Sequence, residues 1–306
     1  SKDDEWLQFI DEEGEDQSSH IIPEDEEVQM KTTQADFLVW HYRLGHISFQ
    51  KIRQMAARGD LPAAFRDCRV PKCAACIYGK ARKRAWRSKA PVNKTNTPPA
   101  TAPGSVVAID QMISAVPGFI AQMRGFITGK RYKVVTVFVD HFSDLSFVYT
   151  QKSTTAEETV QAKEAFERYA KSHQVMIKHY HADNGIFAEA EFIRSVENSN
   201  QTISFCGVNA HHMNGHAEKR IRDLQENARA MLLHAKRRWP SAVTTNLWPY
   251  AVRMANDIHN FAPSIREGLS PIERFSQVQV SPRVRHSHAF GCPVYTLDGH
   301  LQAGKR

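Results

Sequence analysis

The sequence predicts an α/β domain with a mixed sheet, preceded by a small helical module that binds zinc. Three observations predict it. β-Branched runs come first in hairpin order and then alternate with helical segments. Two histidines precede a CxxC pair at a spacing that suits one tetrahedral ion. A long segment late in the chain repeats its apolar residues with a helical period.

The elements follow in order. Residues 1–36 are acidic, show no sustained period, and read as a disordered linker. Residues 37–88 read as the zinc module. In "SFQKIRQMAARGDL" Phe49, Ile52 and Met55 recur at helical spacing, with Ser48 as the N-cap and Gly59 as the stop. Residues 89–104 are basic, then Pro- and Thr-rich, and read as a second linker. The core is expected over 105–275. "SVVAIDQM", "YKVVTVFVD" and "LSFVYTQ" are strands, the last two forming a hairpin. "STTAEETVQAKEAFERYAKSH" is a helix capped by Thr154 or Thr155. "VMIKHYH" is a strand, "AEAEFIRSVENSN" a short helix and "TISFCGV" a short strand. A helix then runs from about Gly215 to Lys236, and "LWPYAVRMANDIHNFAP" ends the core as a helix stopped by Pro263. Residues 276–306 read as the start of a C-terminal extension. The chain opens on Ser and stops at "LQAGKR", so it is expected to be a piece of a longer polypeptide.

Charge narrows the partner. The first 30 residues hold one lysine against twelve acids, while the rest carries 39 basic and 21 acidic side chains. A body that basic attracts a polyanion, and nucleic acid is the commonest one. No run approaches the roughly 20 apolar residues of a membrane helix, so no membrane partner is expected. Five cysteines, two of them in a CxxC pair, suit a metal in a reducing compartment better than a disulfide framework.

Four residues lie between His41 and His46, two between Cys73 and Cys76, and 26 between the pairs. Two imidazoles and two thiolates form a closed structural Zn²⁺ site, and a small module gains stability from it. Cys68 competes but lacks the paired spacing. The basic run that follows places Lys80, Arg82, Lys83 and Arg84 as candidates for phosphate contact.

Three carboxylates fall at element ends. Asp110 closes "SVVAID", Asp183 follows a strand in "ADNG", and Glu218 opens the long helix. Such ends are where an α/β sheet gathers functional groups. Converging carboxylates bind Mg²⁺ or Mn²⁺ and suit displacement at phosphorus. Each has an ordinary alternative as turn former, dipole partner or strand end, and Asp140 and Asp144 are rival acids. Asn214, Lys219, Arg220 and Arg222 flank Glu218 and are candidate DNA contacts, the basic ones with a solvated helix face as the alternative.

The chain also resembles copia-type (Pseudoviridae) retrotransposon integrases. "WHYRLGH" and "CAACIYGK" resemble their pre-integrase zinc module; "VFVDHFSDLSFVYTQKS", "HADNG", "NGHAEKRIRDLQENARAML", "LWPYAV" and "HAFGCPVY" follow in the family's order. The likeness covers residues 37 to 297. It implies a ribonuclease H-like core with an Asp, Asp, Glu triad on Asp110, Asp183 and Glu218. The implied activity is strand transfer of cDNA 3′ ends into host double-stranded DNA by a homo-oligomer, in a cytoplasmic virus-like particle and then the nucleus. There are departures: 34 residues separate Asp183 from Glu218, Met213 stands where a Gln is common, and "HADNG" replaces "RSDNG". Two other readings stand beside it: a ribonuclease H-type nuclease, and a catalytically silent DNA-binding remnant.

Overall fold

The computed structural model describes residues 32–81, 99–119, 129–206, 214–280 and 284–294. Three helices come first: α1 (Thr32–Arg43), α2 (Phe49–Arg58) and α3 (Ala74–Gly79). Helix α1 begins inside the stretch assigned to the acidic linker. That boundary is corrected: a helix burying Phe37, Leu38, His41 and Tyr42 needs a preceding turn to carry its first backbone hydrogen bonds. Ser48 caps α2 through its hydroxyl, and Gly59 closes it at φ +85° with its N–H on Ala56 O.

The core sheet contains β1 (Val107–Phe119), β2 (Arg131–Asp140), β3 (Ser146–Gln151), β4 (His179–Ala182) and β5 (Thr202–Phe205). Their order is β3-β2-β1-β4-β5. The β1–β2 and β2–β3 pairs are antiparallel; β1–β4 and β4–β5 are parallel. This hairpin-first, parallel-second sheet is the mixed ribonuclease H-like arrangement.

Alternation along the strands gives each face its own core. Ala108 and Met112 of β1, with Val135, Val137 and Val139 of β2, face α6 (Gly215–Arg238) and α7 (Trp248–Phe261). Val107, Ile109 and Phe138 face α4 (Ala156–Ser172) and α5 (Ala190–Asn198). Thr155 caps α4 by accepting from Glu158 N. Asp110 shares the parity of Ala108 and Met112, so it lies on the α6 side of the sheet.

Helix α6 buries two faces. Leu224, Ala228, Met231, Leu232 and Ala235 meet the sheet side. Asn227, Ala230 and His234 meet the zinc module instead. Gly79 of α3 is needed there, because an added Cβ would come within 2.9 Å of the Ala230 backbone. A short helix, α8 (Pro271–Ser276), closes the core with a complete capping box on Ser270 and Glu273.

Candidate functional site

The zinc constellation is assembled by α1, the turn after it, and the start of α3. His41, His46, Cys73 and Cys76 place one ligand atom each, all within 4.8 Å of one another. His41 Nε2 lies 3.2 Å from Cys76 Sγ, and His46 Nδ1 lies 3.5 Å from Cys73 Sγ and 3.6 Å from Cys76 Sγ. Ligand atoms around a tetrahedral zinc stand roughly 3.3–3.8 Å apart, given Zn–S of about 2.3 Å and Zn–N of about 2.0 Å. The four residues fit Zn²⁺.

The outer nitrogens are held too. His41 Nδ1 is 2.8 Å from Ile47 O, and His46 Nε2 is 3.1 Å from His234 Nδ1 on α6. Such partners fix which nitrogen faces the metal. Burial, then the neighbouring His41 and His234, lowers the His46 pKa well below its usual value, keeping it neutral and able to ligate. The Cys76 thiol is also lowered, first by its hydrogen bond with Cys73 and then by Lys80, against the cost of burial. Cys68, the competing thiol, packs with Phe65 and Leu61 and stays outside the cluster.

The three carboxylates come from β1, the segment after β4, and the first turn of α6. Three hydrogen bonds fix the backbone beside them. Buried Asn214 donates to Ile109 O at 2.8 Å, seating the start of α6 beside Asp110. Cys206 N donates to Ala182 O, and Asn184 Nδ2 to Cys206 O, seating the segment after β5 beside Asp183. Cys206 records the result. Its thiol is pushed up to about 11 by burial, then by Asp183, Glu218 and Asp110. All three carboxylates therefore act on one buried sulfur. They do not close to the spacing of the zinc ligands, and no second such cluster occurs among the described residues. Mutual repulsion of like charges opposes closer approach.

The rival acids are occupied elsewhere. Asp140 is fully buried and accepts from Gly104 N, Ser143 N and Ser143 Oγ at 2.6–2.8 Å, which holds the turn after β2. Asp144 accepts from Arg220 Nη2 at 2.8 Å.

The expected DNA contacts divide. Lys219 and Arg222 are exposed on α6. Arg220 is buried: its guanidinium meets Asp144 and His259, so its charge serves the fold before any phosphate. Lys80 Nζ donates to His46 O at 2.5 Å and Asn227 Oδ1 at 2.6 Å, which ties the zinc turn to α6. Asn214 is buried and hydrogen-bonded. All three side chains have partners within the fold. Arg82, Lys83 and Arg84 lie outside the described residues, as does Met213. His181 is buried in β4, with Ser204 Oγ 2.9 Å from Nδ1 and Cys206 Sγ 3.5 Å from Nε2.

Residues 17–81 match the GAG-pre-integrase domain family. The Retrovirus-related Pol polyprotein from transposon RE2 of Arabidopsis thaliana is 24% identical over 261 residues. That alignment takes in 84% of this chain but 16% of the relative, so the chain spans about a sixth of the polyprotein's length. Among solved structures, the HTLV-2 integrase catalytic core domain in complex with magnesium is 17% identical, with a TM-score of 0.40. The match covers 58% of this chain and 99% of that one. A chain of the simian T-cell lymphotropic virus intasome in complex with PP2A regulatory subunit B56 gamma is 16% identical, with a TM-score of 0.44. It covers 71% of this chain and 66% of that one.

Two contributors escaped the sequence reading. His234 was legible as part of a second stripe on α6 with Asn227 and Ala230, at i, i+3 and i+7. Cys206 gave no signal, because its place depends on two parallel strand ends meeting in space.

Proposed function

We propose that this chain is the integrase segment of a copia-type retrotransposon polyprotein, transferring cDNA 3′ ends into double-stranded DNA. The observation that carries it is the placement of the carboxylates: Asp110 on β1, Asp183 just past the parallel neighbour β4, and Glu218 in the first turn of α6, which Asn214 ties to Ile109 O. Their all-oxygen donor set suits Mg²⁺ or Mn²⁺. Asn214 Oδ1, buried without a hydrogen-bond partner among the described residues, adds an oxygen beside β1.

When bound there, such ions lower the pKa of an attacking hydroxyl and offset charge on the leaving oxygen. The chain's own residues do the rest. Asp110 is fixed by the Gln111 N–H, which donates to its Oδ1 at 2.7 Å. Asp183 Oδ1 accepts from Gly185 N at 3.2 Å, holding the turn after β4. Glu218 is carried by a helix anchored on both faces, so its position relative to β1 is set by packing. Lys219 and Arg222 are exposed one residue after Glu218 and one turn on, where a phosphate backbone would lie. A homo-oligomer would bring two DNA ends to one target. Passage from a cytoplasmic particle to the nucleus belongs to the same reading.

The test is a joining assay with purified protein, short duplex ends, Mn²⁺ or Mg²⁺ and a plasmid target. Joined products that vanish in Asp110→Asn support the proposal. Cleavage without joining would replace it with a nuclease. DNA binding without either would leave a silent remnant.

A further inference from the structure

A second polar cleft, with a volume of about 450 Å³, opens on the side of α6 where the zinc module, the β2–β3 turn and the loop after α7 meet. Its volume lies within the roughly 300–1,000 Å³ usual for ligand sites. None of Asp110, Asp183 and Glu218 lines it, although it shares Lys219 with the duplex contact proposed above. Five cations line it, from four separate parts of the chain: Lys51, Lys219, Arg220, Arg266 and Arg274. Only two carboxylates, Asp144 and Asp223, line it as well.

The partners decide which charges are left over. Arg274 is taken by Glu267 at 2.8 Å and by the carbonyls of Phe142 and Ser143. Arg220 is 6% exposed, and its Nη atoms reach Asp144 and His259 at 2.8 Å. Its Nε is buried with no hydrogen-bond partner among the described residues. Asp223 stands 4.0 Å from Arg220 and reaches no closer cation there. Lys51, Lys219 and Arg266 have no side-chain ion pair among the described residues. The Lys51 ammonium is pushed below its usual value by burial and then by Arg220, which outweigh the attraction of Asp144 and Asp223. His259 is buried and held neutral by burial first and Arg220 next, so it adds no balancing or further charge.

Uncompensated cations gathered in one concave site repel one another and focus a positive potential. A carboxylate ligand would supply one negative charge; a phosphate supplies more, with several acceptor oxygens for ammonium and guanidinium donors. We propose that this cleft binds a phosphate group, with Lys51, Lys219 and Arg266 as its ligands and the Arg220 Nε–H at its floor. The source is either the backbone of a bound duplex or a free phosphate such as pyrophosphate. Lys51 matters most to the inference, because it lies on α2 of the zinc module and would join that module to the same ligand as α6.

The experiment titrates the full chain with sodium pyrophosphate at constant ionic strength, using sodium chloride as the control, and follows thermal unfolding. The expected result is a saturable rise in midpoint above the chloride control, lost in Lys51→Gln and in Arg266→Gln. The second variant, at an exposed position, guards against a folding defect in the first. A rise no greater than with chloride, or one unchanged in both variants, overturns the site. A parallel arm measures fluorescence anisotropy of a labelled duplex. Duplex affinity falling at least threefold in both variants, with pyrophosphate competing, assigns the site to DNA backbone. Unchanged duplex affinity with loss of the pyrophosphate response assigns it to a free anion. Neither arm requires joining activity, so failure here is distinguishable from failure of the proposed catalysis.

Discussion

His46, a zinc ligand, touches the long core helix: its Nε2 lies 3.1 Å from His234 Nδ1. The metal module and the sheet domain are therefore joined at the ligand itself. Outer partners of ligating histidines contribute about 10–100-fold in metal affinity. His234→Ala should weaken zinc binding by that factor, measured by competition with a chromophoric chelator. Affinity within twofold of wild type would remove His234 from the metal site.

The same contact changes what chelation does. A self-contained zinc module over residues 37–88 would unfold on chelation and leave the core intact. The packing of Gly79, Lys80 and His46 on Ala230, Asn227 and His234 carries the disturbance into α6. Hydrogen exchange after chelation should show lost protection in α1 to α3 and also around residues 227–234. Exchange confined to residues before 82 would show that the modules are uncoupled.

Local signals were the legible part of the fold. Ser48 and Gly59 bound α2 because capping is a property of neighbouring residues. The sheet's mixed character followed from a hairpin preceding strand–helix alternation. HxxxxH with CxxC named the metal ligands, since two short spacings suffice to place four atoms. What escaped were relations across the chain. Arg220 reads as a helix-surface cation until Asp144, 76 positions away, is found at its tip. Lys80 reads as the first member of a basic run, yet its ammonium is fixed by a carbonyl and an asparagine. Charge alone does not tell whether a cation serves the fold or a ligand.

Arg58 and Glu273 clamp α2 to α8 through two parallel hydrogen bonds of 2.9 Å, and Arg58 also donates to Gly268 O. Burial works against the Glu273 charge, but Arg58 and Ser270 outweigh it and hold its pKa down at about 2, below the usual 4.5. A carboxyl depressed on folding stabilises the protein above its unfolded pKa, and that stability is lost as pH falls toward the folded value. The window is therefore pH 4.5 to 2, and the contribution is on the order of 3 kcal/mol. Urea unfolding should show Glu273→Gln less stable than wild type at pH 7, with the difference shrinking below pH 4.5. A difference independent of pH would mean the ion pair contributes nothing.

The Arg220 guanidinium tests fold against ligand in the opposite way. Removing it leaves Asp144 and buried His259 without their partner, and breaking a pair whose one member is buried costs about 2–4 kcal/mol. Arg220→Gln should lower the unfolding midpoint substantially whether or not DNA is present. Lys219→Gln, one residue earlier and exposed, should leave stability within about 0.5 kcal/mol while reducing the salt dependence of duplex binding. Equal stability effects from the two variants would contradict the packing assigned to Arg220.

Asp140 and the three candidate metal carboxylates should separate by role without any activity measurement. Asp140 accepts three hydrogen bonds in a fully buried turn, so Asp140→Asn forfeits acceptor capacity and should destabilise the protein. Asp110, Asp183 and Glu218 instead share one sign of charge, and each raises the Cys206 thiol. Neutralising one of them relieves repulsion, so in chelator each of Asp110→Asn, Asp183→Asn and Glu218→Gln should melt about 1–3 °C higher. Adding Mn²⁺ should raise the wild-type midpoint and leave those three variants almost unmoved, while Asp140→Asn keeps the response from its lower starting point. If Asp140→Asn loses the Mn²⁺ response and Asp110→Asn keeps it, the metal belongs to the turn after β2, and the assignment of the three carboxylates is wrong.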